Sequence, residues 1–153
     1  MTMALHVRRQ IVQAVAAVLR RDISGVSVQD GRAAPMPVAK CPYLLVYARS
    51  EEVRAIAGRS LDDDERLRRA LQLEVQITVA DATDSDDRLD AFAVLIEKAL
   101  AADRRLGGLV EDLALERSEL AASFDGEQRV ARARLEYRVE YHTTALRPDQ
   151  HLE

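Results

Sequence analysis

The sequence predicts an α+β fold: two helices packed on one face of a mainly antiparallel sheet of about four to five strands. Three observations lead there. One amphipathic stretch lies near the N-terminus, a second with marked ends lies mid-chain, and two long runs carry apolar residues at every other position. Elements that each bury one face combine as a helical layer on a sheet. The chain has 153 residues, 48% of them hydrophobic, and a formal net charge of −4. That suits one domain over residues 1–153, since a chain of this size buries roughly 70% of the surface it exposes when unfolded.

Between Leu5 and Arg21, the residues Leu5, Ile11, Val12, Val15, Val18 and Leu19 form a stripe at three- and four-residue spacing, with Arg8, Arg9 and Arg20 mostly outside it. This periodicity predicts the first helix. Ile23 to Val28 is expected to form a short strand. Residues 30–42 hold three prolines and read as an exposed loop, because proline suits neither a helix interior nor a central strand. Tyr43 to Ala48 (YLLVYA) is a continuous β-prone run, expected to be buried on both faces. From Arg49 to Arg69 the chain is highly charged, and it reads as a long mobile connection with at most a helical turn.

Leu71, Leu73, Val75, Ile77 and Val79 alternate with Gln72, Glu74, Gln76 and Thr78. A period of two over nine residues predicts a strand with one buried face. The second helix follows, with its apolar stripe at Leu89, Phe92, Ile96 and Leu100. Asp84 or Ser85 is the expected cap, Asp86 and Asp87 suit the positive end of the helix dipole, and Arg104 and Arg105 suit the negative end. Gly107 or Gly108 is expected to supply the left-handed exit. Leu109 to Leu120 alternates imperfectly, Asp125-Gly126 signals a turn, and Ala131 to His142 alternates apolar with ionic residues. The sheet face away from the helices is expected to be polar, and residues 148–153 a disordered tail.

The composition limits function. A net charge of −4 gives no global basic field for binding nucleic acid, and six aromatic residues in the chain, 4%, leave little for base stacking. Cys41 is the single cysteine, so no intrachain disulfide and no zinc spacing arises; beside Pro42 it reads as a small packing residue. No apolar run is long enough for a membrane span. His6, His142 and His151 form no pair at helical or strand spacing, none of the seven serines lies in a GxSxG turn, and no glycine-rich loop precedes a helix. The run Asp62, Asp63, Asp64, Glu65 lacks the ligand spacing and glycine of a calcium loop and reads as a solvated segment. What remains is surface. The ionic row Arg132, Arg134, Glu136, Arg138, Glu140, His142 is either an ordinary solvated sheet face or a subunit interface built of oriented ion pairs.

Several segments together resemble a known family. These are the N-terminal helix, the Pro-containing loop leading to PYLLVYARSEE, the strand RRALQLEVQITVAD, the helix ending in LAADRRLGGLV and the final strand RVARARLEYRVEYHTT. They cover most of residues 5–145, and the chain resembles the tail terminator proteins of long-tailed phages and prophages, also called minor tail or tail completion proteins. The resemblance implies a non-enzymatic structural protein that forms a ring, typically a hexamer. Such a ring caps the growing tail tube, ends its polymerisation and presents a surface to the head connector.

The implied partners are further copies of the chain, the tail tube protein and the head–tail connector proteins, with no membrane. DNA would pass through the ring without specific binding, and six copies at −4 each would carry −24, which discourages DNA from adhering. The implied location is the host cytoplasm during assembly and then the virion tail. No cofactor is implied beyond a divalent cation assisting assembly at the acidic loop. By the same analogy Arg132, Arg134, Glu136, Arg138 and Glu140 face a neighbouring subunit, and Asp62, Asp63, Asp64, Glu65 and Arg66 meet the tube or the connector. A neck or head–tail joining protein of the same virion, and a small cytosolic ligand-binding α+β domain, are the alternative readings.

Overall fold

A computed structural model describes residues 3–31, 38–56 and 64–152. It shows an α+β fold in which two helices cover one face of a five-stranded sheet. Helix α1 spans Val7–Asp22. His6 caps it, its Nδ1 accepting from the Arg8 backbone N–H at 3.1 Å, and Val7, Ile11, Val12, Val15, Val18 and Leu19 are buried. Leu5, expected on the stripe, lies before the helix and is exposed. The first strand is displaced from the expected position: Ile23 ends α1, and β1 runs Ser27–Asp30.

Strand β2 spans Tyr43–Ala55 and β3 spans Arg66–Asp81. They pair antiparallel from Tyr43 opposite Thr78 to Ala55 opposite Leu67. Residues 49–55 and 66–69 are therefore strand, not the mobile connection expected from their charge; residues 57–63 lie outside the described ones. Two inward positions of this extension, Glu51 and Arg69, carry ionic groups that find partners on other strands. Arg69, opposite Val53 and Tyr141, donates to the Glu51 carboxylate at 2.8 Å and to Thr143 Oγ1 at 2.9 Å. Buried polar groups are tolerated where such bonds satisfy them.

Helix α2 spans Ser85–Ala101. Asp84 is the residue before it, but no side-chain cap comes from it. Asp81 shapes the entry, accepting from the backbone N–H groups of Thr83 at 2.9 Å and Asp84 at 3.1 Å. These bonds, with Arg88 at 3.3 Å, hold the Asp81 carboxyl below its ordinary range. Leu89, Ile96 and Leu100 are buried and Phe92 packs against the core. The left-handed reversal comes later than the helix end: Leu106, Gly107 and Gly108 have φ of 49°, 68° and 97°, with Leu106 anchored by burial.

Strand β4 spans Asp112–Asp125 and β5 spans Gln128–Thr144, joined by a tight turn in which Gly126 has φ 63°. The strand order is β1-β2-β3-β5-β4, with β1 parallel to β2 and the other three pairings antiparallel. Leu44, Val46, Leu71, Leu73, Val75, Ile77, Val79, Leu135, Tyr137, Val139 and Tyr141 face the helices and form one core with them. The stretch expected to be a disordered tail is docked through residue 152. Val7 N–H donates to the Pro148 carbonyl at 2.9 Å, Gln10 Nε2 to the Asp149 carbonyl at 2.9 Å, and Leu152 N–H to the His142 carbonyl at 2.8 Å.

Candidate assembly surface

The ionic residues singled out in the last strand all lie on the helix-free face of the sheet, since their neighbours Ala133, Leu135, Tyr137 and Val139 point into the core. Register carries the row across the sheet. Arg132, Arg134, Glu136, Arg138 and Glu140 stand opposite Thr78, Gln76, Glu74, Gln72 and Ala70 on β3. On the other side they stand opposite Ala121, Glu119, Arg117, Ala114 and Asp112 on β4.

Glu74 opposite Glu136 places two carboxylates on adjacent strands, a repulsive pairing by itself. It is relieved from a third strand. β2 has a register shift between Ala48 and Ser50, and such an irregularity re-aims a side chain. Arg49 at that shift reaches Glu136 at 3.1 Å and Glu74 at 3.5 Å. Glu74 is only 1% exposed, so this bridge belongs to the fold as much as to the surface. Arg138 pairs with Glu140 along its own strand at 3.1 Å, and Arg132 Nε donates to Thr78 Oγ1 at 3.4 Å.

Arg49, Glu52, Arg54 and Arg68 extend this surface and are not singled out by the sequence, because residues 49–69 read there as a connection; Glu74, read there on the polar row of its strand, lies beside them. Arg54 lies opposite Arg68, and the two share a shallow concavity with Glu52, Ala70 and Arg138. Three guanidinium groups gathered in one depression attract carboxylates or other planar anions in bidentate geometry. The signal that would have found them is the continuation of the β3 period, in which Arg66 and Arg68 fall in step with Gln72 and Glu74.

The face is not wholly polar, contrary to expectation. Tyr43, Leu45 and Tyr47 are buried there with Cys41 packed against them. The Cys41 thiol is pushed above its ordinary range by burial, with Arg132 acting in the opposite sense. Cys41 thus sits as the packing residue the sequence suggested. Of the second predicted set, Asp62 and Asp63 lie outside the described residues. Asp64 accepts from Leu146 N–H at 2.9 Å, the Glu65 carbonyl accepts from Ala145 N–H at 2.8 Å, and Arg66 opens β3 with an exposed side chain. Arg66 stands opposite Thr144 of β5, and Asp64 and Glu65 are tied to the segment after β5. Among the described residues no group of three or more His, Cys, Asp or Glu side chains is placed to hold a metal ion, and no helix is long and apolar enough to cross a membrane.

No family model and no curated protein matches the chain. Among solved structures, a chain from the virion of a native gene transfer agent particle is similar at a TM-score of 0.41 and 16% identity, over 85% of this chain and 94% of that one. A second solved chain, whose name describes no activity, has a TM-score of 0.31 and 18% identity, over 83% and 94% of the two chains. Likeness of this degree assigns no role. The functional reading stands on the sequence segments and on the surface itself.

Proposed function

We propose that the chain is a structural protein of a tailed-phage-like particle, which assembles with copies of itself into a ring and closes the tail tube at the head connector. The observation that carries this reading is the ionic, helix-free sheet face. A rigid sheet presents Arg49, Arg54, Arg68, Arg132, Arg134 and Arg138 among Glu52, Glu136 and Glu140, at positions fixed by strand register. Alternating charges on a stiff support orient a partner and reject misaligned ones, which is what a closed ring requires of each contact. The sequence segments resembling tail terminators support the same role. Its partners are then further copies, the tube protein and the connector proteins, and its work is non-enzymatic, with DNA passing through unbound.

Sedimentation of the purified chain over a range of concentration, salt and Mg²⁺, together with a tube-length assay in the presence of tail tube protein, tests the proposal. Rings that bind tube protein and fix its length are expected. A chain that forms no ring and never binds tube protein overturns the proposal. Binding to portal and head-completion proteins alone would move the role to a neck protein of the same particle.

A further inference from the structure

Strand β4 is an edge of the sheet, and among the described residues no other strand faces its backbone groups on the side away from β5. Long edges are normally blunted with charges or bulges, because an open edge is a template for another chain. In β4 those devices gather in one half: the register shift between Leu115 and Arg117 and the charges Glu116, Arg117 and Glu119. The stretch Leu120-Ala121-Ala122-Ser123-Phe124 carries neither. Leu120 is 70% and Phe124 71% exposed, and both lie on the helix-side face, as their even-numbered neighbours Ser118 and Ala122 do by their pairing with Leu135 and Ala131.

The nine residues from Arg117 to Asp125 are free of register shifts and are complementary to themselves when run antiparallel. With Ala121 opposite the same residue of a second copy, Leu120 meets Ala122, Ser118 meets Phe124, Glu119 meets Ser123, and Arg117 meets Asp125. Each of these pairs joins residues of the same face, as strand pairing demands. The small Ala121 falls on the two-fold axis, the opposite charges fall at both ends, and the two Leu120 and two Phe124 side chains gather on one side. Among the described residues Arg117 pairs with Glu119 of its own strand.

We infer that β4 is a docking edge for a second copy of this chain, joined as an antiparallel, two-fold strand pair over Arg117–Asp125. The contact is isologous and makes a ten-stranded sheet across two copies. It uses the sheet edge, not the ionic face, and stands independently of the ring reading.

The charge pattern supplies the test. Arg117→Glu places like charges at both ends of the pair, and so does Asp125→Arg. A mixture of the two variants restores both attractions. Sedimentation equilibrium of the full chain, at salt where the ionic face forms no ring, is expected to show a dimer that each single variant weakens about tenfold or more. The equimolar mixture is expected to regain dimer, in which each variant pairs with the other. As a measure of register, Ala121→Cys in a Cys41→Ser background is expected to form an intermolecular disulfide under mild oxidation, since directly opposed strand positions come within disulfide range. Thermal unfolding of the single variants, with midpoints near that of the parent, shows that the monomer fold is kept. A parent chain that stays monomeric at its highest soluble concentration overturns the inference. So does a dimer insensitive to both single changes, or a mixture no stronger than its components, which points to a different partner strand.

Discussion

Replacing Glu51 by Ala should be among the most damaging single changes in this protein, although Glu51 lies in a segment whose composition reads as a solvated loop. Its carboxylate accepts from Arg69 at 2.8 Å, from Arg8 at 3.2 Å and from the Tyr141 hydroxyl. The Glu51 and Arg69 side chains are 7% and 10% exposed, while that of Arg8 is 47% exposed. Removing one partner of an enclosed pair strands the other charge and costs about 3–5 kcal/mol. The loss of the Tyr141 acceptor falls within the same network and is not additive. For a domain of this size such a loss lowers Tm by about 6–20 °C. Arg8→Ala, acting on the exposed member, should cost less than about 1 kcal/mol. The double variant Glu51→Leu/Arg69→Met, which removes both buried charges, should recover most of the loss. Urea unfolding of the four proteins decides the matter. If Glu51→Ala lies within about 1 kcal/mol of the parent, or if the double variant is worse than Glu51→Ala, the account of the buried network is wrong.

Two further outcomes are expected. Leu73, 1% exposed in the centre of β3, should lose about 2–5 kcal/mol on truncation to Ala, whereas Leu146→Ala, at a position 80% exposed, should stay within about 0.5 kcal/mol of the parent in the same urea titration. His6 is held below its ordinary pKa by burial first and then by Arg8 and Arg69, against the opposing pull of Glu51 and Asp149. The folded state therefore binds its proton less readily than the unfolded chain, so the contribution of His6 to stability is present above pH 6.5 and is lost as pH falls below it. His6→Asn, which keeps an acceptor for the Arg8 N–H, should show a smaller loss of stability between pH 7.5 and pH 5.5 than the parent; an equal loss would remove His6 from the account.

The elements legible in the sequence are those whose side-chain pattern is settled locally. The stripe of α1, the alternation of β3 from Leu71 to Val79 and that of β5 each bury an apolar set at their own period, and the structure places them there. The continuous run of β2 is also legible as buried on both faces: Leu44 and Val46 lie under the helices, while Tyr43, Leu45 and Tyr47 lie on the other side. The imperfect alternation of β4 has a local cause too, since the register shift between Leu115 and Arg117 changes which residues share a face. The outer part of the β2–β3 pair is not legible, because charged Glu51 and Arg69 interrupt its inward row of Val53, Ala55 and Leu67. Their burial depends on partners such as Tyr141, 90 residues from Glu51, and nothing in a local window announces such a partner.

The same division sorts the ionic face. Glu136 was legible as a surface residue of an alternating strand, yet its carboxylate is drawn to Arg49 together with that of Glu74, whose side chain is almost wholly enclosed. A change at Glu136 or Arg49 therefore disturbs the sheet as well as any contact across it, and weakened assembly in such a variant would not by itself locate an interface. Arg54 and Arg68 are different. They are exposed and directly opposite one another, so their mutual repulsion weakens the isolated chain slightly, and an anionic group arriving from outside would relieve it. Charges already engaged within the sheet set its shape and register. The gathered arginines of the β2–β3 extension are the part of the face with most to gain from a carboxylate-bearing partner, and that gain diminishes with salt because the groups are solvent-exposed.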